Sequence, residues 1–128
     1  VFVNRPSDIN DAGQIAGTFS WSGGSTVPFV WDDGNWTWFP GFGFFQVLSI
    51  NESGTAVGNQ HHRDFFDPPN SSWVLTVSGT TNISNLDPSD SPFAELFPVS
   101  DINDRGDMVG AGFLIYPYKG AYVLKKVL

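Results

Sequence analysis

Three tryptophans and three polar residues lie close together between positions 31 and 38 and could bind a small ligand. They are Trp31, Asp32, Asp33, Asn35, Trp36 and Trp38. Trp36 and Trp38 alternate along one predicted strand, so their rings are expected on the same side of it. Apolar sugar faces stack on indole, while carboxylates and amides bind hydroxyl groups. The segment is therefore a candidate carbohydrate site; its rings could instead fill the core between repeats or contact another subunit.

A second group of reactive side chains stands in the segment HHRD, with His61, His62 and Arg63. Adjacent residues of a strand point to opposite faces, so the two histidines are poorly arranged to chelate one metal ion. The sequence contains no His-Glu-x-x-His, no Gly-x-Ser-x-Gly and no glycine-rich phosphate loop. We therefore expect a surface loop whose three residues are candidates for ligand contacts, with no metal, no cofactor and no catalytic residue.

Acidic and amide side chains precede a glycine in the segments DINDAG and DINDRG, at positions 8–13 and 101–106. Calcium loops of the EF-hand kind also place oxygen ligands at alternate positions before a glycine. Here the third alternate position holds Ala12 or Arg105, and neither side chain supplies an oxygen. Asn and Asp equally favour the first positions of a tight turn, and Gly supplies a positive φ at its exit. Turn formation is the favoured interpretation.

The same turn motif is written three times along the chain, as INDAGQIAG, INESGTAVG and INDRGDMVG. Residues on either side alternate as they do in paired strands, so each copy predicts a β-hairpin. The second glycine of each copy (Gly17, Gly58, Gly110) falls inside a strand. A glycine there indicates a bulge or a close approach of two backbones.

Further strands complete a repeating unit around each hairpin. First strands are predicted at VFVN, FFQV and LFPV, third strands at 29–31, 73–75 and 122–124, and fourth strands at NWTWF and TNISNL. The sequence thus predicts an all-β domain over 1–128, with three units at 1–41, 42–93 and 94–128. Each unit has about four short antiparallel strands, a length typical of a β-propeller blade. Three blades do not close a propeller easily, so a β-trefoil-like pseudo-threefold barrel is the alternative.

Composition excludes several classes of partner. The net charge is −7 with only six Lys and Arg residues, which disfavours nucleic acid and anionic membrane surfaces. No apolar run is long enough to cross a bilayer, so we expect no membrane insertion. The absence of cysteine excludes disulfides, zinc ribbons and thiol chemistry.

The repeat resembles the bacterial extracellular repeats named HAF. Those repeats read roughly as Ile-Asn-Asp-x-Gly-x-Val-Val-Gly, a spacer, and an aromatic strand ending in Trp-x-x-Gly. INDAGQIAG with PFVWDDG is close to that pattern, and INDRGDMVG with AYVL is a fair match. The second unit departs from it at Glu52 and Ala56, and the His-Ala pair is absent from all three units. The resemblance implies a secreted or surface-exposed β-propeller-like array, and it brings no catalytic residues.

These features favour a non-enzymatic, extracellular or cell-surface module that acts by binding. The expected partner is a glycan or another small ligand, since similar units can present several similar pockets. The alternative is a structural module that completes a ring or a fibre, as a homo-oligomer or as part of a longer repeat array. Solvent-facing tryptophans beside polar groups would favour ligand binding, and burial of these rings between units would favour assembly.

Overall fold

The computed structural model describes residues 2–21, 24–62, 69–114 and 118–126, which form strands joined by short turns. The strands are β1 Phe2–Ile9, β2 Ile15–Trp21, β3 Thr26–Asp32, β4 Asn35–Trp38, β5 Phe44–Ile50, β6 Ala56–His61, β7 Pro69–Thr76, β8 Gly79–Asn82, β9 Glu95–Ile102, β10 Met108–Phe113 and β11 Lys119–Leu124. A single turn of 3₁₀ helix follows β8, at Ile83–Leu86. The prediction of an all-β chain is confirmed.

Three separate antiparallel sheets contain these strands. The first sheet has the order β1-β2-β3-β4, the second β5-β6-β7-β8, and the third β9-β10-β11. Within the described residues the sheets do not join into one closed barrel, and no described helix has the length and apolar character needed to cross a membrane. Each sheet is a meander of neighbouring strands, which suits a chain rich in turn residues.

The repeated motif forms the turn between the first two strands of every sheet. In the first sheet the Gly13 amide donates to the Asn10 carbonyl at 3.0 Å, and Asn10 donates to the Gln14 carbonyl at 3.1 Å. Gly13 has a φ of 82°, which only glycine adopts without strain. Equivalent bonds close the turns at Asn51 and Asn103. The predicted hairpins are therefore confirmed, with the turn chemistry that the sequence indicated.

The second glycine of the motif lies where two backbones approach closely. A side chain at Gly58 would overlap the Phe45 ring and the Gln46 carbonyl, and one at Gly110 would overlap the Pro98 carbonyl. The facing strand shifts register at this point in all three sheets. A bulge and a close approach thus occur together, which explains why the position needs glycine.

The fourth strand of the second unit is shorter than the sequence predicted. TNISNL was expected to be extended, but the strand ends at Asn82 and Ile83–Leu86 turns into the 3₁₀ helix. Asn82 causes this change, because its side-chain oxygen accepts a hydrogen bond from the Ser84 amide at 3.0 Å and caps the turn. The turn directs Ile83 into the core, where it is fully buried.

The core lies between the sheets, in two clusters. One cluster joins Ala16, Val30 and Phe39 of the first unit to a larger set from the second sheet: Phe45, Val47, Ile50, Ala56 and Leu75. The other joins Val57 and Ile83 to residues of the third sheet: Leu96, Val99, Ile102, Met108 and Tyr122. The second sheet meets the first sheet with one face and the third sheet with the opposite face. We call the face toward the preceding sheet the front face and the face toward the following sheet the back face. The equivalent faces of the first and third sheets take the same names.

Candidate functional site

The motif asparagine connects consecutive sheets. The Asn10 amide nitrogen donates to the Asn51 carbonyl at 2.9 Å, and the Asn51 amide nitrogen donates to the Asn103 carbonyl at 3.0 Å. The side-chain oxygen of each asparagine meanwhile accepts from its own turn, as Asn51 does from the Thr55 amide at 3.0 Å. One side chain therefore shapes its own turn and bonds the next sheet. Sequence reasoning found the turn and missed the connection.

The acidic residue after the asparagine makes a second connection. The Glu52 carboxylate accepts from the Asp11 backbone amide at 2.9 and 3.1 Å, and the Asp104 carboxylate accepts from the Glu52 amide at 3.0 Å. Asp8 adds a third bond, because its carboxylate accepts from the Ile50 amide at 2.9 Å. Two of the acids considered as calcium ligands, Asp8 and Asp104, are thus acceptors in a hydrogen-bond ladder between sheets.

We call the contact between the first and second sheets the first joint, and the contact between the second and third sheets the second joint. A buried polar network lies at the second joint. The Asn59 amide group exchanges two hydrogen bonds with the Val99 backbone, at 3.1 and 2.9 Å. The Ser72 hydroxyl donates to the Asn59 oxygen at 2.5 Å and accepts from the Val99 amide at 2.8 Å. Because these atoms are buried and mutually bonded, they fix the third sheet in one register on the second.

The back face of the third sheet is open. Four positions form this face in every sheet, as two cross-strand pairs: Ala16–Val30 with Thr18–Pro28, Val57–Val74 with Asn59–Ser72, and Val109–Val123 with Ala111–Ala121. In the first two sheets the following sheet covers them, and Ala16 and Val57 are fully buried. In the third sheet Val109 is 41% exposed and Val123 is 61% exposed. The third sheet therefore presents an uncovered apolar stripe.

The front face of the first sheet is the second open face. Ile9 is 62% exposed, whereas its equivalents Ile50 and Ile102 are 5% and 7% exposed against the preceding sheet. A concavity of about 250 Å³ lies on this face, lined by Asn4, Pro6, Ile15, Phe29, Trp31 and Trp36. The front face of the first sheet and the back face of the third sheet are thus exposed, although the equivalent faces are buried where two sheets meet.

The predicted tryptophans belong to this open front face. Trp36 and Trp38 are stacked with ring centroids 5.0 Å apart and planes 6° apart, and each is nearly half exposed. Their rings cover Phe29, with centroid distances of 4.9 and 5.7 Å, so that Phe29 is buried although no other sheet of the described residues covers this face. Trp31 is half-buried beside them. The three tryptophans do come together, on one side of the sheet.

The predicted polar partners of these rings lie elsewhere. Asp32 follows Trp31 on β3, so its side chain points to the back face. There its carboxylate accepts a hydrogen bond from the Gln14 side-chain amide nitrogen at 3.1 Å. Asn35, the cross-strand partner of Asp32, shares that side. Asp33 is exposed in the β3–β4 turn with a φ of 47°. The structure therefore does not gather these three polar groups around the indoles.

The histidine segment is only partly within the described residues. His61 is buried at the end of β6, opposite Pro69, and His62 is exposed just beyond the strand. Arg63 lies outside the described residues. No cluster of three or more metal-ligating side chains occurs in the part of the chain that the structure describes.

A larger groove, of about 440 Å³, runs along the joint between the second and third sheets. Its apolar floor includes Val74, Ile102 and Met108, and its rim includes Asn51 and Asp104 of the ladder. The groove is a feature of a sheet-to-sheet joint, where side chains of two units meet and leave space at one end.

Two titratable groups near the third sheet have displaced pKa values. The pKa of Asp107 is lowered, chiefly because its carboxylate accepts from the Lys126 backbone amide at 3.0 Å, and burial opposes this effect. Burial raises the pKa of Tyr122 to about 12. The Tyr122 hydroxyl has no hydrogen-bond partner among the described residues. Asp107 thus bonds the segment that follows β11, and Tyr122 packs in the core between the second and third sheets.

Comparison with protein-family models, with curated proteins and with solved structures finds no match to this chain. The resemblance to HAF repeats consequently depends on the motif residues alone. What can be said of function comes from the two open faces and from the ladder that the motif builds.

Proposed function

We propose that this chain is a non-enzymatic β-repeat module that acts by docking, with its two open faces binding further sheets of the same kind. The observation that carries the proposal is the contrast in burial at equivalent positions. Val57 is fully buried, while Val109, at the same motif position, is 41% exposed. An apolar stripe that is exposed in one sheet, at positions whose equivalents are buried between two other sheets, is expected of a surface that another sheet covers.

The proposal extends to a β-propeller-like arrangement of the sheets. Meandering antiparallel sheets with one unit per hairpin motif, stacked face against face, support it. Propellers have four to eight such sheets around a channel, so a three-sheet array leaves two faces uncovered. Docking of additional sheets would remove both faces from water at once.

The test of docking is a tandem protein, with two copies of the chain joined by a flexible Gly-Ser linker. Because the chain has no cysteine, Val123→Cys in the first copy gives a single thiol whose alkylation rate reports on the exposure of the back face. The linker supplies an effective concentration in the millimolar range, so docking should slow alkylation about tenfold or more. Equal alkylation rates in this tandem and in one whose second copy carries Ile9→Asp would disprove docking.

A second candidate function is binding of a carbohydrate or another ring-containing ligand. The stacked, nearly half-exposed Trp36 and Trp38 support it, since indole faces in water are good platforms for sugar rings. The polar residues at 32, 33 and 35 do not contribute to that platform, so affinity would depend on stacking alone. Titration of soluble oligosaccharides, followed by tryptophan fluorescence in the chain and in Trp36→Ala, would detect such a site.

The expected location outside the cell or on its surface remains a prediction. It is supported by the motif residues that resemble extracellular repeats, at 9–17, 50–58 and 102–110. Fractionation of the producing cells with an antibody to the purified chain would test it. Recovery only from the cytoplasm would contradict it.

A further inference from the structure

We propose that the partner of each open face is a second copy of this chain, with the back face of one third sheet docked on the front face of the other copy's first sheet. This inference rests on the proposed docking function and names its partner. Two copies joined head to tail in this way make two identical seams, and the seams close six sheets into a ring.

The hydrogen-bond ladder supports this choice of partner. The third sheet carries the same residues as the first at the three ladder positions: Asp101, Asn103 and Asp104 match Asp8, Asn10 and Asp11. At the existing first joint, Asn10 donates its side-chain amide and Asp11 donates its backbone amide to the next sheet. At a seam, Asn103 and Asp104 would donate in the same two ways.

The receiving side offers the matching acceptors. Asn51 and Glu52 receive the ladder at the first joint through a carbonyl and a carboxylate. Asn10 and Asp11 hold those positions in the first sheet, and the Asp11 carboxylate accepts no hydrogen bond from the described residues of its own chain. A seam therefore gives Asn103 and Asp104 acceptors of the kind that Asn10 and Asp11 already have at the first joint.

The side chains of the two open faces also match in size. Back faces are built from small side chains, such as Ala16 and Val30, and front faces from large ones, such as Phe45 and Leu75. The open back face continues this rule with two alanines and two valines. The open front face continues it with the aromatic residues around the 250 Å³ concavity.

Trp36 and Trp38 fit a neighbour that has only three strands. Their equivalents in the second sheet are Thr80 and Asn82, by the strand pairing. The second sheet can be polar there, because Phe39, which follows the fourth strand of the first sheet, packs into the joint. The described third sheet has no fourth strand to supply such a residue. The stacked indoles cover Phe29 in its place, so the outer end of the seam needs no fourth strand.

Two copies of the described three-sheet array would place six sheets in the ring, a number within the four to eight of known propellers. A closed head-to-tail dimer also leaves no open face, whereas an unclosed chain of copies always leaves two.

The experiment is native mass spectrometry and sedimentation of the intact chain over a range of concentrations. We expect a species of twice the 14.0 kDa chain mass. Val123→Asp and Ile9→Asp change one open face each, and both residues are more than half exposed in the single chain, so both variants should fold. Burying an unpaired carboxylate at a seam should weaken association about 100-fold or more in either variant. Val77→Asp, in an exposed turn away from both faces, is the matched control and should dimerise normally.

Mixing the two variants tests the head-to-tail geometry. An equimolar mixture of Val123→Asp and Ile9→Asp contains one unaltered seam, so heterodimer should form where neither variant alone dimerises. A dimer lost in only one of the variants would mean that like faces pair, and would overturn the proposal. A chain that stays monomeric at all concentrations would also overturn it. If the chain stays monomeric but the tandem protein docks, the docking function stands, and what is overturned is the ring formed by two separate copies.

Discussion

The joints inside the array and its two open faces use the same motif positions and differ in what covers them. Val57 and Val109 stand at the same place in their repeats, yet one is fully buried and the other is 41% exposed. Ile50 and Ile9 differ in the same way. The comparison teaches that the motif encodes two things: a turn within each sheet and a joint to the next sheet.

The largest difference in the free energy of unfolding between a joint variant and an open-face variant is expected for a substitution that leaves a cavity in the core. Phe45→Ala removes a fully buried ring from the first joint and should lower the free energy of unfolding by about 3–5 kcal/mol. Val123→Ala, on the open back face, should change it by less than about 0.5 kcal/mol in the monomer. Urea denaturation at low protein concentration measures both. Equal losses would contradict the distinction between the two regions.

A smaller difference is expected within the ladder. Asn51→Ala removes two turn hydrogen bonds and the bond to the Asn103 carbonyl, in a residue that is 4% exposed. We expect a loss of about 2–4 kcal/mol, because buried partners stay unsatisfied. Asn103→Ala removes turn bonds at an exposed end and should cost about 1–2 kcal/mol. Asn51→Asp separates the effects, since it keeps the turn acceptor and loses the cross-sheet donor.

The indole cover of the open front face should contribute less again. Trp38→Ala removes the stack on Trp36 and uncovers Phe29, and we expect a loss of about 1–2 kcal/mol in the monomer. The second sheet has Asn82 at this position, so Asn82→Ala is the matched control and should cost mainly its 3₁₀ cap, about 1 kcal/mol. A loss below that of the control would mean that the indoles do not shield the front face.

The smallest effect at neutral pH is expected for Tyr122→Phe. The Tyr122 hydroxyl is buried without a described partner, so its removal should change stability at pH 7 by less than about 0.5 kcal/mol or raise it slightly. The pKa of Tyr122 is raised to about 12 from an ordinary 10.0, so the folded state holds this proton more tightly than the unfolded state. Its contribution to stability is complete below pH 10 and is lost as the pH rises toward 12.

Urea denaturation of the chain and of Tyr122→Phe between pH 9 and pH 12 isolates this contribution. The difference between the two proteins should be constant up to about pH 10 and then change in favour of the variant. A difference that does not depend on pH would show that the phenol ionises as easily in the folded state as in the unfolded one.

Local chemistry explains what could be predicted from the sequence. The Asn-x-x-Gly turns depend on Asn10, Gly13 and their equivalents, whose preferences act within a few residues. The alternation around them gave β1 to β3, and the motif glycines marked the close approaches. The strand predicted through residues 83–86 also failed for a local reason, the Asn82 cap.

The candidate site was predicted less well, because it depends on which face each side chain occupies. Trp31 and Asp32 are neighbours in sequence, but the pleat of β3 sends them to opposite faces, and the polar half of the expected sugar site is lost. The alternation could have shown this from the sequence. No local signal could show that Trp36 and Trp38 lie on a face that no other described sheet covers.

The sequence by itself determined the strands, the turns and the threefold repetition, because hydrogen bonds within a hairpin and the φ of a glycine are decided by adjacent residues. Only the tertiary structure decided which of the equivalent residues in the three motif copies are buried. Asn10 and Asn103 stand in nearly identical segments, yet only Asn10 donates its side-chain amide to a following sheet in this chain. The physical reason is that burial and cross-sheet bonding belong to a pair of surfaces, and a motif specifies only one member of the pair.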